Sequence, residues 1–141
     1  MKFNLITRFS LCLCVFLGAN TYAEVAVIVS ANNPNASIDA DTLSRIFLGK
    51  TSNFPDGNQA IPVDQTEGTA ARESFNEKVL GKNSSQLKAY WSRLIFTGKG
   101  TPPKESGSDA DVKALVANNP NLIGYIDSSA VDGSVKVLYS F

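Results

Sequence analysis

The chain has no histidine, and its two cysteines, Cys12 and Cys14, both fall within the first 23 of 141 residues. From residue 24 onward neither a thiol nor an imidazole is available. Disulfides, cysteine nucleophiles and histidine general bases are excluded there, along with the usual zinc ligand set. No GxSxG elbow occurs, and the carboxylates near residues 64–67 stand too close in sequence to frame a substrate, so an enzyme is not expected. Charge of one sign is also missing. Lys2 and Arg8 lie in the first 23 residues, leaving 11 basic against 13 acidic residues in the remainder. A mildly acidic domain without a basic run is a poor candidate for nucleic acid. Long apolar runs are confined to the start. Lys2 and Arg8 precede a short apolar core, Phe9 to Ala19, and Thr21-Tyr22-Ala23 supplies small residues for a cleavage site. That core falls short of the ~20 residues a spanning helix needs. We therefore expect residues 1–23 to be a cleaved signal peptide and residues 24–141 to form one exported, periplasmic domain.

What is present alternates between strand and helix signals. Val25-Ala26-Val27-Ile28-Val29 reads as a strand buried on both faces. Asn32 to Asn35 is turn chemistry. Asp39-Ala40-Asp41 opens a helix carrying Leu43, Ile46 and Phe47 and ending at Gly49. The two aspartates suit the helix dipole better than a metal pair. Ile61-Pro62-Val63 is a short strand, placed at or near a sheet edge by its proline. Asp64 to Thr69 is a polar turn, and Ala70 to Leu80 a helix of about three turns stopped by Gly81. Asn83 to Gln86 is a capping box for a helix over 84–96. Its Leu87, Tyr90, Trp91, Leu94 and Ile95 recur at helical spacing and are expected in the core. Thr97 to Pro103 is a connector. Ser108 to Asp111 caps a further helix with Val112, Leu115 and Val116 inward. Leu122 to Ile126 is a buried strand whose Gly124 marks a bulge or a close approach. Asp132-Gly133 turns the chain into Val135–Tyr139, read as an antiparallel hairpin. The expected fold is α/β, a mixed sheet of about four strands flanked by about four helices.

The candidate site is the turn from Asp64 to Arg72. A strand feeding a helix through Thr66-Glu67-Gly68-Thr69 leaves amides at the helix start, where the dipole attracts anions. An anion there would sit on the amides of Gly68, Thr69 and Ala70, with the Thr69 hydroxyl adding a bond. Arg72 lies in the first turn, where a cation opposes the dipole. Either a local ion pair with Asp64 or Glu67 compensates it, or a bound anion does. Ser30 and the 97–101 loop are further candidates. The turn has no GxxxxGK[ST].

The stretch LSRIFLGKTSNFPDGNQAIPVDQTEGTAARESF, with NLIGYI further on, resembles phosphate ABC-transporter substrate-binding proteins (PstS-like). The resemblance implies one lobe of the type II periplasmic binding protein fold and a role in binding phosphate or a related oxyanion. Carried over by position, Gly68 matches the glycine before the phosphate-binding serine, Thr69 that serine, Ala70 the next glycine and Ala71 the threonine. The family's ion-pairing arginine falls near Gln65, a departure, and either Asp64 or Glu67 would accept a proton from a protonated oxyanion or else repel a dianion. Family members enclose the ligand between two lobes, and this chain has residues for one. With one lobe, either weak binding is expected, or a site completed by a second subunit in a homodimer or by another protein such as a membrane transporter or sensor. The alternative is a ligand-free accessory module docking onto a membrane sensor, porin or transporter. No cofactor or metal is implied.

Overall fold

A computed structural model describes residues 24–141. The signal-peptide expectation, residues 1–23, lies outside the described residues. The elements run β1 (Val25–Ser30), α1 (Ala40–Phe47), β2 (Ile61–Asp64), α2 (Ala70–Phe75), a π-helical turn (Asn76–Leu80), α3 (Ser84–Phe96), β3 (Lys104–Glu105), α4 (Asp109–Ala117), β4 (Leu122–Asp127), a short 3₁₀ turn (Ser128–Ala130) and β5 (Val135–Ser140). The five strands form one mixed sheet in the order β3-β2-β4-β1-β5. β2 runs parallel to β3 and β4, and β1 runs antiparallel to both β4 and β5. This is a single α/β domain consistent with one lobe of a type II periplasmic-binding-protein-like fold. No helix of the described residues is long and apolar enough to cross a membrane.

Continuous apolar character makes β1 an interior strand. All six of its residues are buried. With a side-chain period of two, Val25, Val27 and Val29 pack under α1 and α2, while Ala26 and Ile28 pack under α4. The first face holds an aromatic cluster: Phe75 stacks on Tyr125 with ring centroids 4.2 Å apart, and Phe47 lies 4.6 Å from Phe75. The second face is aliphatic and closes on Gly124. A Cβ built there would stand 2.7 Å from Val112 and 3.1 Å from Val63. Close approach, not a bulge, is therefore what the glycine serves.

Caps fall where the sequence places them. Asp39 accepts from the Thr42 amide at 2.6 Å, which assigns it to the helix end. Asn83 and Gln86 bond reciprocally, and Asp111 accepts from the Ser108 amide at 2.9 Å. Gly81 ends the second helix in the left-handed region, φ 63°. The last turn of that helix is π rather than α, a local widening that periodicity does not encode.

The expected mixed sheet is there, and four expectations about its surroundings are corrected. To the roughly four strands expected it adds a fifth, β3, only two residues long and exposed, too short to leave a sequence signature. That strand, and not β2, forms the edge; pairing to β3 begins at Val63, one residue past Pro62, so the missing proline donor is not needed. β5 does not form a hairpin with β4. It crosses to the far side of β1, whose two-sided burial calls for a partner on each edge. Finally, α3 is not a core helix. Leu87 is its one buried residue, Ile95 is half exposed and Phe96 is 92% exposed. Tyr90 and Trp91 reach inward only to α1, Tyr90 through a 2.7 Å bond to the Leu48 carbonyl. Leu115 of α4 is likewise exposed.

Gly124→Ala is expected to destabilise the protein by about 1–3 kcal/mol, the range typical of overpacking a filled core. Urea denaturation reads this as a lower midpoint with unchanged slope, and an unchanged midpoint would refute the close-packing account.

Candidate functional site

The turn between β2 and α2 is held by a buried polar knot. Asp64 ends β2, and the Tyr125 hydroxyl donates to its Oδ1 in a short hydrogen bond. The same hydroxyl oxygen accepts from the Gln65 amide at 3.3 Å. The Gln65 side chain is fully buried, and its Nε2 donates to Asp109 Oδ1 at 2.7 Å and to the Tyr125 carbonyl at 2.9 Å. Arg72 folds back over this group. Its Nη1 donates to the Gln65 carbonyl at 2.9 Å, and its guanidinium lies 3.6 Å from Asp64 and 3.8 Å from Glu105. Of the two compensations open to Arg72, the structure displays the ion pair.

Electrostatics follow from this burial. Desolvation raises the Asp64 carboxyl above its ordinary range, even though the Tyr125 hydroxyl and Arg72 pull it down. Burial and the neighbouring Asp64 charge push the Tyr125 phenol upward, so it stays protonated and donates.

Around the knot, the turn is tied to the β3 loop. The Glu67 amide donates to Glu105 Oε1 at 2.8 Å, and the Thr66 amide to the Gly107 carbonyl at 2.9 Å. Gly68 takes φ 91°, a left-handed conformation that a side chain would disfavour. Thr69 is the N-cap, its hydroxyl accepting from the Arg72 amide at 3.4 Å, and its own amide is used by the Thr66 carbonyl. The amides of Gly68, Ala70 and Ala71 carry no bond to any described residue. Glu67 also pairs with Lys88 of α3 at 3.1 Å.

Among the predicted site residues, the structure brings together Asp64, Gln65, Gly68, Thr69, Ala70 and Arg72. It does not bring Ser30 to them. Ser30 sits at the opposite end of the sheet, its hydroxyl on the Ala117 carbonyl at 3.3 Å. The 97–101 loop is a helix terminator, with the Gly98 and Lys99 amides bonded back to Ile95 and Leu94, and it makes no hydrogen bond to the turn. Tyr125, Glu105 and Asp109 were not anticipated. Asp109 read as a helix-start acid, and a tyrosine inside an apolar strand signals core rather than a polar partner. Ser85 and Lys88 stand at SxxK spacing on the exposed side of α3, where Lys88 is ion-paired with Glu67. The described residues hold no group of three or more potential metal ligands.

No family model matches the chain. Solved structures do. A phosphate ABC-transporter substrate-binding protein with bound phosphate from Clostridium perfringens superposes with TM-score 0.66 at 26% identity, covering 83% of this chain and 45% of that one. An ABC-type phosphate transport receptor from Vibrio cholerae gives 0.65 at 22% identity, covering 83% and 46%. PstS from Borrelia burgdorferi gives 0.58 at 14%, covering 82% and 47%. The chain thus spans less than half the length of each. It has a periplasmic-binding-protein-like fold related to that of phosphate ABC-transporter substrate-binding proteins, a fold of non-catalytic binding proteins.

Because the folded Asp64 carboxyl is raised, its contribution to stability is full below its unfolded value near 3.8 and is lost as pH climbs through the folded value. Asp64→Asn keeps an acceptor for Tyr125 and removes the buried charge. The variant is expected to gain melting temperature over the parent progressively as pH rises above the unfolded value near 3.8. A gain that shrinks with rising pH would mean the carboxylate is net stabilising.

Proposed function

We propose that the chain is an exported, periplasmic solute-binding-like protein that takes phosphate or a related oxyanion at the entry to α2. What supports this reading is the superposition on a substrate-binding protein with bound phosphate, together with amides at Gly68, Ala70 and Ala71 that carry no bond to any described residue, at positions the sequence resemblance aligns with the family's phosphate loop. Thr69 closes the turn and would add its hydroxyl. Arg72 acts from behind: it is spent on Asp64, Glu105 and the Gln65 carbonyl, so it sets the shape of the turn instead of gripping the anion. Gln65 replaces the family's charge and is also consumed internally. Binding through backbone amides alone, in a high dielectric, is weak. A site facing a second subunit, or docked on a membrane transporter, would be drier and tighter.

A second reading, an accessory module that docks on a membrane partner without a ligand, is favoured by α3. Phe96 stands out at 92% exposure, in a stretch where Lys78, Lys82, Lys88, Arg93, Lys99 and Lys104 occur without one acidic residue. A basic stretch of this kind suits an acidic protein surface.

Ala70 occupies the first helical position, where proline is tolerated because its fixed φ suits the helix. Thr69 before it is already extended, at ψ 145°, as proline requires. Ala70→Pro therefore deletes one amide while leaving the fold. Phosphate or sulfate at millimolar concentration is expected to raise the melting temperature of the parent, by linkage, and not that of Ala70→Pro. No rise with any oxyanion would remove the ligand reading and leave the docking module.

A further inference from the structure

Helices in proteins are held mainly by the face they bury. α3 buries Leu87 alone. Hollows flank it: a cavity of about 330 Å³ toward the π-turn and one of about 460 Å³ toward β2 and α4, with Trp91 lining both. Its last turn carries the two most exposed large apolar side chains among the described residues, Phe96 and, half exposed, Ile95. The loop that follows folds back on the helix end. The Gly98 and Lys99 amides donate to the Ile95 and Leu94 carbonyls, and a Cβ built at Gly100 would stand 3.7 Å from Trp91. Pro102 and Pro103 line the smaller cavity together with Ile95. Residues 93–104 thus form one largely exposed surface at the end of the helix.

Charge is sorted toward this tip. Residues 78–104 hold six of the eleven basic residues found from residue 24 onward and none of the thirteen acidic ones. The rest of that span sets five bases against thirteen acids. Lys88 is spent on Glu67, and Lys82 lies over the Tyr90 ring. Arg93, Lys99 and Lys104 make no ion pair with any described residue. Arg93 stands one turn before Phe96 on the same helix face, and Lys99 follows three residues after it. The tip is therefore an exposed aromatic ring and an isoleucine among unpaired cations, on a domain whose remainder is acidic.

This geometry selects the partner. A protein interface of standard size needs about 800 Å² of matched surface on each side. Here the apolar part is two side chains at one helix end, and the ground beside them is hollow. A bilayer asks for no matching relief. Anionic headgroups meet the cations while an aromatic ring settles at the headgroup boundary. The acidic remainder of the domain is repelled by the same surface, which sets the orientation. We propose that the end of α3 docks on an anionic phospholipid bilayer, Phe96 and Ile95 entering the interface and Arg93, Lys99 and Lys104 meeting the headgroup phosphates. So small an anchor is reversible and salt-sensitive. The proposal does not rest on the oxyanion site, and it gives the basic stretch a lipid partner in place of an acidic protein.

Residues 24–141, the described domain, are sedimented with vesicles of phosphatidylcholine alone or of equal parts phosphatidylcholine and phosphatidylglycerol. A cooperative thermal melt confirms that each preparation is folded. At low salt the parent is expected to sediment with the anionic vesicles and not with the neutral ones. It should be released near 1 M salt, where the screening length falls to about 3 Å. The double variant Arg93→Glu, Lys99→Glu, and separately Phe96→Ser, should each weaken the partition at least about fivefold. All three side chains are exposed, so the melting temperature should hold. Phe96→Trp should keep binding and shift its emission to the blue on anionic vesicles, which adsorption by charge alone does not produce. Millimolar phosphate should release no more protein than chloride at matched ionic strength. A phosphate-specific release would mean that the headgroups are held at the α2 entry, and would overturn the proposal. So would no sedimentation with anionic vesicles at low salt, equal sedimentation with neutral ones, an unshifted emission, or a partition unaltered in both tip variants. Binding to poly-L-glutamate with none to either vesicle would overturn it too, and return the basic stretch to an acidic protein partner.

Discussion

Asp64 is a carboxyl group held largely out of water, and the arrangement of the site follows from satisfying it. Burial of a carboxylate is costly unless it is paired and hydrogen-bonded. Here two elements answer, Tyr125 from β4 and Arg72 from α2, and Arg72 is shared with Glu105 of β3. The knot therefore fastens the end of β2 to its two sheet neighbours and to the helix that follows. Gln65 extends it to α4 through Asp109, which also accepts from the Asp127 amide at 3.0 Å. The turn is thus a junction of the whole sheet edge and not a free loop. Its few open amides are open because the knot fixes their neighbours.

The knot is possible because the sheet beneath it is covered on both faces. Tyr125 stacks on Phe75, so the ring is anchored in the aromatic core while its hydroxyl emerges beside Asp64. Gly124, one residue earlier, lets Val112 and Val116 of α4 press on the opposite face. One strand therefore contributes a polar tip to the site and a bare backbone to the packing. Alternation along β4 achieves this without any residue serving both roles.

The parts of this structure legible in the sequence were those written in local chemistry. The caps at Asp39, Asn83 and Ser108, the left-handed stop at Gly81 and the apolar run of β1 each depend on residues within a few positions of one another. The turn at 64–72 was legible for the same reason. What escaped notice depended on distant partners. That Arg72 would meet Glu105, or Gln65 meet Asp109, is decided by how β3 and α4 return to the sheet, and neither return leaves a local trace. The placement of β5 beside β1 is a topological choice of the same kind. The helical stripe on α3 misled for a different reason. Its periodicity is real, but the surface it faces is hollow, so spacing foretold orientation correctly and burial wrongly.

That hollow matters for what a domain of this length can hold. A ligand resting on the α2 entry alone meets water on its open side, and its charge-assisted bonds are correspondingly diluted. Leaving a bare arginine there would add an unpaired cation for little affinity. Instead Arg72 is turned inward to neutralise Asp64, and Gln65 stands where a charge would otherwise need a counterion. The chain spans less than half the length of the structures it superposes on, and the polar groups of its turn are largely satisfied from within. The more enclosed volume lies beside the turn, under α3, where Trp91 and Leu87 supply apolar walls that a second lobe would otherwise have to provide. Enclosure is what converts polar contacts into affinity. In this fold it is found where the helix lifts away from the core, beside the Arg72 Nε, a buried donor without a partner among the described residues.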